Sequence, residues 1–463
     1  MNPILLHPTD VLFFRDGRPM SGSLSGQGAA WPLPNVISHA FHAALHRAEL
    51  GEVHAHRSGK SGEYTDQRDR KFGSLKTVGP FPVCTNGEAN TWFFPRPLDA
   101  TVSDEKLIVS LRPVKSSGGS NLPAPLKYTV GNQKPPTKDL QPAWCSEGAL
   151  TTYLGTEARD SLAARQFFKQ DRDFSDAEST IGIGINPETG TAGDQEIYSA
   201  NYLRLRDGWR LGTFASAPDK DFRHSNGSND LVGALLDADQ GSILVGGQQR
   251  VCTASRDTSI LDRLPLPLGQ TSDFSTHDGK VRVKWTLLTP AIFPEIDSHP
   301  GGWLPSWIEQ KNGQVMLLDG PGKNAAKRKR VREGQPIKAN LVAAITGKPL
   351  VVTGWALPNT TDRSEGGAKS THLAVPAGSV YYFECDDESA ARQLAAALNW
   401  QGVTASVPLA GSVAAPVSVA CSQARGSADS PQAGGSGNSI QNRRSTLMGE
   451  KGFGLGVCSS WAF

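Results

Sequence analysis

Seven apolar residues, Val36, Ile37, Ala40, Phe41, Ala44, Leu45 and Ala48, repeat at helical spacing and form one stripe. A stripe of this kind must be covered by a sheet or another helix. The chain supplies a strand immediately before it, because apolar residues alternate from about Ile4 to Phe14. Arg15-Asp16-Gly17-Arg18-Pro19 then makes a basic turn, and after a Gly/Ser-rich loop Asn35 is placed to cap a helix running to about Leu50. Strand, loop, helix is the opening of an α+β unit.

The pattern restarts near residue 280, where Leu287-Leu288-Thr289-Pro290 echoes Leu5-Leu6-His7-Pro8. A strand is predicted at Gly378–Glu384 and a helix from about Asp387 to Trp400, with Asp386, Asp387 and Glu388 at the positive end of its dipole. Each half thus offers strands and an amphipathic helix. A single hydrophobic core stops growing at roughly 250–300 residues, so a chain of 463 residues is read as two domains, 1–280 and 281–463. Further strands are predicted at Leu107–Leu111, Tyr202–Leu211 and Ser242–Thr253. The segments 51–76 and 113–139 read as polar surface insertions, and 421–442, dominated by Ser, Gly, Gln and Ala, as a flexible loop. With 49 Gly and 31 Pro, a loop-rich, β-containing protein is expected.

Net charge is only +2, so any nucleic-acid site must be a local patch. One such patch runs from Lys323 through Lys327, Arg328, Lys329 and Arg330 to Arg332, six basic residues in ten positions without an acid. Ordered on RNA it would neutralise several phosphates; otherwise it is a solvated loop. Gly452-Phe453-Gly454-Leu455-Gly456 has too few residues after it for the helix and strand of a dinucleotide fingerprint. It is either an ordinary turn or a backbone that lies against RNA, with Phe453 to stack on a base and Arg443, Arg444 and Lys451 for phosphates.

His39, His42 and His46, at i, i+3 and i+7 opposite the apolar stripe, read as a polar helix face rather than a metal or general-base site. Walker A, HExxH, GxSxG and GGDD-type sequences are absent, and no nucleophile, base and orienter assemble. The six cysteines lie far apart without a CxxC pair, which predicts reduced structural thiols. No signal peptide or apolar run of membrane-spanning length is seen, so a cytoplasmic protein is expected, with no cofactor and no membrane partner.

Taken in order, Asp10-Val11-Leu12-Phe13-Phe14-Arg15-Asp16-Gly17-Arg18-Pro19, Leu287-Leu288-Thr289-Pro290-Ala291-Ile292-Phe293 with Gly302-Trp303-Leu304-Pro305, the run from Lys369 to Val380, and the terminal glycine cluster resemble the RAMP superfamily. More closely, they are similar to the Cmr subunit of type III-B CRISPR complexes that caps the foot of the assembly. The resemblance covers roughly a third of the chain and leaves 51–280 mostly outside it. It implies an α+β fold of two RRM-like, ferredoxin-type domains with large loop insertions. It also implies a role without catalysis: holding the 5′ handle of the guide RNA and bridging the large polymerase/cyclase-like subunit to the neighbouring RAMP backbone subunit. The RNA-binding residues expected on this reading are Arg15, Arg18, Arg250, Lys327, Arg328, Lys329, Arg330, Lys369, Arg443, Arg444, Lys451, Gly452, Phe453, Gly454 and Gly456. The alternative is a metal-independent CRISPR RNA-processing endoribonuclease with a histidine general base, for which His39, His42 and His372 near Lys369 are the candidates.

Overall fold

The computed structural model describes residues 1–14, 31–50, 74–103, 108–115, 121–131, 140–155, 167–219, 222–224, 227–237, 241–264, 269–270, 273–295, 299–316, 337–356, 367–400 and 447–463. The fold mixes α and β and is mostly sheet, with few helices.

The first sheet is built from β1 (Asn2–Pro8), β2 (Lys76–Asn86), β3 (Ala89–Pro95), β4 (Trp144–Ser146) and β5 (Phe168–Lys169). A long hairpin of β6 (Ser175–Ile185) and β7 (Ala192–Leu205) interrupts the sheet, which resumes with β8 (Trp209–Ser216), β9 (Ser242–Leu244) and β10 (Val251–Arg256). The sheet order is β9-β10-β1-β8-β2-β3-β4-β5. Numbered along the chain, the four central strands lie in the order 4-1-3-2, all antiparallel. Helix α1 (Pro34–Arg47) follows β1, α2 (Glu147–Leu154) follows β4 and α3 (Leu231–Asp237) follows β8.

The predicted stripe of α1 is buried: Ile37, Phe41 and Leu45 pack with Ile4, Leu6, Leu211 and Leu231. Burying each such side chain contributes about 1.5–3 kcal/mol. Leu5, between Ile4 and Leu6, faces the other side and joins Phe81, Trp92 and Phe214, as the period-2 alternation of a strand demands. The expected cap at Asn35 is corrected, because Leu33 is the cap without a side-chain bond and Pro34 opens the helix. Proline suits that position, since its missing N–H would find no intrahelical partner there.

Two predicted strands are each divided. Tyr202–Leu211 breaks at a turn around Gly208, whose φ is +79°, into the end of β7 and the start of β8. Ser242–Thr253 breaks around Gly246, at φ +82°, into β9 and β10. Positive φ is cheap only for glycine, so these two residues set the breaks.

The second sheet contains β11 (Thr276–His277), β12 (Lys280–Leu287), β13 (Gln314–Val315), β14 (Ile337–Ile345), β15 (Val380–Cys385) and β16 (Gly456–Ser460). Its order is β11-β12-β15-β14-β13, and β16 also pairs with β12. The strands β16, β12, β15 and β14 repeat the 4-1-3-2 order. Helix α4 (Glu388–Leu398) connects β15 towards β16 and is capped by Asp387, whose carboxylate accepts the Ala390 N–H at 2.8 Å. Ala391, Leu394 and Leu398 bury its apolar face against Val283, Trp285 and Phe383. The Leu-Leu-x-Pro echo therefore falls at the end of the first strand of each 4-1-3-2 set, closing β1 at Pro8 and running past β12 after Leu287.

The two sheets share a core: Leu288, Trp400, Leu455 and Val457 cluster with Phe81, Trp92 and Phe214 of the first sheet. Among the described residues no helix is long and apolar enough to cross a membrane.

Candidate nucleic-acid interface

The turn from Gly246 to Arg250, between β9 and β10, gathers polar groups on a rigid frame. Val245 N–H donates to the Arg250 carbonyl at 2.8 Å and Gly247 N–H to the Phe13 carbonyl at 2.8 Å. A Cβ at Gly246 would come within 2.5 Å of that Phe13 oxygen, so only glycine fits. Gln248 and Gln249 both hold positive φ, +54° and +52°. Two consecutive non-glycine residues in that region are uncommon and persist where surrounding structure imposes them.

Arg250 emerges from this turn with its guanidinium 5.0 Å from the Tyr202 ring centre. Its Nη1 lies 3.6 Å from Asp10 Oδ2, and Nη2 donates to Gln248 Oε1 at 3.3 Å. Its Nε is buried without a hydrogen-bond partner among the described residues. Burial raises the Tyr202 phenol, but hydrogen bonds with Gln248, Thr180 and Arg250, together with the arginine charge, outweigh it and hold the group below its ordinary value. A planar cation held on an aromatic ring is a geometry suited to a base or a phosphate.

Of the other expected RNA-binding residues, Arg15, Arg18, Lys327, Arg328, Lys329, Arg330, Arg443 and Arg444 lie outside the described residues, as do 51–73 and 116–120 and 132–139 of the expected insertions and all of 421–442. Lys369 is exposed, its N–H donating to the Gly354 carbonyl at 2.8 Å, and Lys451 is half-buried.

The terminal glycine cluster is corrected towards a packing role. Phe453 is 0% exposed and clusters with Ile292, Val352 and Ala374, so its ring offers no face to a base. A Cβ at Gly452 would meet the Thr77 carbonyl of β2 at 2.6 Å, and one at Gly456 would meet Trp285 Nε1 at 2.3 Å. These glycines allow the chain to pass closely between the two sheets.

On α1, His39 is exposed and the rings of His42 and His46 meet edge-on at 4.6 Å. His372 sits in a separate ribbon, opposite Val352. Among the described residues no group of three or more His, Cys, Asp or Glu could hold a metal ion.

Two further features were not read from the sequence. Asp99, 2% exposed, receives hydrogen bonds from Tyr153 at 2.7 Å and Tyr382 at 2.9 Å and lies 3.2 Å from Lys284 Nζ. Asp99 and Tyr153 come from the first half of the chain, Lys284 and Tyr382 from the second, around a cavity of about 130 Å³. Burial pushes the Lys284 ammonium below its ordinary value even beside the carboxylate. The second feature is on β6, where Ile181, Ile183 and Ile185 are exposed on one face at 77%, 52% and 67%. Their alternation with Gly182 and Gly184 was a signal available in the sequence.

The family described as CRISPR-associated protein (Cas_Cmr3) matches residues 4–405 of the chain. No curated protein matches it. Among solved structures, the chain is similar to one in a cryo-EM structure of the type III-B Cmr-beta bound to cognate target RNA and AMPPnP, at 17% identity and a TM-score of 0.36, covering 82% of this chain and 86% of that one. A Cmr-beta structure bound to cognate target RNA gives 15% identity and a TM-score of 0.38, covering 82% and 86%. A chain in the Csm3-Csm4 subcomplex of the type III-A CRISPR-Cas interference complex gives 8% identity and a TM-score of 0.33, covering 82% and 92%.

Proposed function

The chain belongs to the Cas_Cmr3 family of CRISPR-associated proteins, and from that premise we propose that it is a non-catalytic, RNA-binding scaffold subunit of a type III CRISPR effector complex. In this role it holds the 5′ handle of the guide RNA in the cytoplasm and bridges the large polymerase/cyclase-like subunit to the neighbouring RAMP backbone subunit. The two halves, 1–280 and 281–463, are read as RRM-like domains, a reading supported by the repeated 4-1-3-2 strand order.

The observation that carries the RNA-binding reading is the Arg250 guanidinium held over Tyr202 at the end of a glycine turn. The exposed isoleucines of β6 support the bridging reading, because an apolar row suits a protein neighbour better than a phosphate backbone.

Handle-containing RNA should bind the full chain and remain full length with or without divalent metal. Arg250→Ala should weaken binding and reduce the log–log salt slope by about 0.7 for each phosphate that is no longer neutralised. Specific cutting that disappears in His39→Ala or His42→Ala would instead establish the endoribonuclease.

A further inference from the structure

The cavity of about 130 Å³ between the two halves is lined by Asp99, Arg112, Cys145, Thr152, Gly155 and Lys284, among others. Asp99 and Cys145 are each 2% exposed and form its floor, whereas Arg112 and Thr152 are half-buried and Gly155 is exposed, so solvent reaches it from one side. Its volume exceeds the roughly 10–15 Å³ that a single water needs. It falls short of the roughly 300–1,000 Å³ of pockets that enclose a whole drug-sized ligand. A group of a few heavy atoms fits.

Charge decides which group. Lys284 Nζ meets Asp99 Oδ2 at 3.2 Å and the face of the Tyr153 ring at 3.8 Å. An ammonium has three N–H donors, so one is left without an acceptor among the described residues. The Arg112 guanidinium has no ion pair or hydrogen bond among the described residues, and its charge opposes that of Lys284. Arg96, 7% exposed, stands close enough to Asp99 and Cys145 to act on both. It donates to the carbonyls of Pro142, Pro97 and Ala100, which hold its guanidinium without cancelling the charge. Against these three cations the lining offers one carboxylate, Asp99, whose two oxygens already accept the Tyr153 and Tyr382 hydroxyls. Uncompensated charge is costly where water is partly excluded, and the two positive charges left over are cancelled by a dianion. Thr152, on α2, adds a hydroxyl with no hydrogen bond among the described residues.

We propose that this cavity binds a phosphate group, held by Lys284, Arg112 and the Thr152 hydroxyl. A phosphate monoester carries close to two charges at neutral pH and presents strong acceptor oxygens, which bond charged donors about twice as strongly as neutral ones. An internal RNA phosphodiester has one charge and two substituents, so it neither cancels the local charge nor enters a cavity closed at its floor. The occupant is free phosphate or the end of a small monoester whose remainder stays outside. Arg112 and Thr152 come from the first half and Lys284 from the second, so the bound group also ties the halves together. None of these residues belongs to the Arg250 turn, and the inference does not depend on the RNA-binding reading.

The test is isothermal titration calorimetry of the full chain with sodium phosphate and, separately, with ribose 5-phosphate, at an ionic strength held constant with sodium chloride. Saturable binding of at least one of them is expected, with a raised unfolding temperature. Tighter binding of ribose 5-phosphate makes the occupant a monoester, and equal or weaker binding makes it free phosphate; both support the site. Arg112→Gln should weaken the affinity roughly tenfold or more, and Thr152→Val about two- to tenfold. The unliganded unfolding temperature and handle-RNA affinity should stay as in the parent. Absence of saturable binding of either compound overturns the proposal. Binding that both variants leave unchanged also overturns it, since the phosphate then sits elsewhere, as does a loss seen only in a chain whose unliganded unfolding temperature has fallen.

Discussion

Replacing Lys284 by Met removes the ammonium from the polar cluster between the two halves while keeping most of the side-chain volume. Lys284 Nζ lies 3.2 Å from Asp99 Oδ2, with side-chain exposures of 12% and 2%, and 3.8 Å from the Tyr153 ring centre. Removing one member of a buried ion pair strands the other charge and costs about 3–5 kcal/mol. Asp99 keeps the Tyr153 and Tyr382 hydroxyls, and each hydrogen bond to a charged group contributes about 1.5–3 kcal/mol. The expected destabilisation is therefore at the lower end, about 3 kcal/mol. Asp99→Leu combined with Lys284→Met leaves no stranded charge and should recover most of that stability, giving a large coupling term in a double-mutant cycle. Urea unfolding of the four proteins, followed by tryptophan fluorescence, measures it. A destabilisation below about 1 kcal/mol in Lys284→Met, or a double variant as damaged as the sum of the singles, would refute the stranded-charge argument.

Phe453→Ala should destabilise the fold by about 3–5 kcal/mol in unfolding experiments, because it empties a fully buried site, whereas handle-RNA affinity of the folded protein should hold. Gly456→Val should cost about 1–3 kcal/mol by overpacking, visible as a lowered Tm, because its Cβ would meet Trp285 Nε1 at 2.3 Å and the Thr286 carbonyl at 2.5 Å. Burial pushes the thiols of Cys145, Cys252 and Cys385 up to about 12. At pH 8 they should therefore resist alkylation until urea is added, while half-buried Cys84 reacts first; peptide mapping by mass spectrometry reads the order. Replacing Lys327, Arg328, Lys329 and Arg330 by Ala should weaken binding to all RNA sequences alike and flatten the salt slope by about 0.7 for each phosphate released, and a fall in affinity with the slope unchanged would remove the segment from the phosphate path.

Helices α1 and α4 and the first strand of each sheet were legible because their signals are local, whereas α2 and α3 were not read from the sequence. Period-3.6 spacing places Ile37, Phe41 and Leu45 on one face whatever lies opposite, and the Asp387 carboxylate needs only the Ala390 N–H three residues on. The repeat of Leu-Leu-x-Pro likewise marked corresponding strands without reference to any partner. Arg250 was named from sequence, but its ring partner Tyr202 was assigned to a strand without a role. Their approach depends on the turn at Gly246 and the hairpin that delivers β7, neither of which alternation alone predicts.

Phe453 shows the limit most plainly. A phenylalanine between glycines carries the same local pattern whether it stacks on a base or fills a core, and only the arrival of Ile292, Val352 and Ala374 decided for the core. Asp99 and Lys284 are 185 positions apart, and nothing in either neighbourhood marks them as a pair. Amphipathic period, capping chemistry and length belong to the chain itself, since each concerns residues within a few positions of one another. The burial of Phe453 and the Asp99–Lys284 pairing belong to the tertiary structure, because each exists only where distant segments exclude water together.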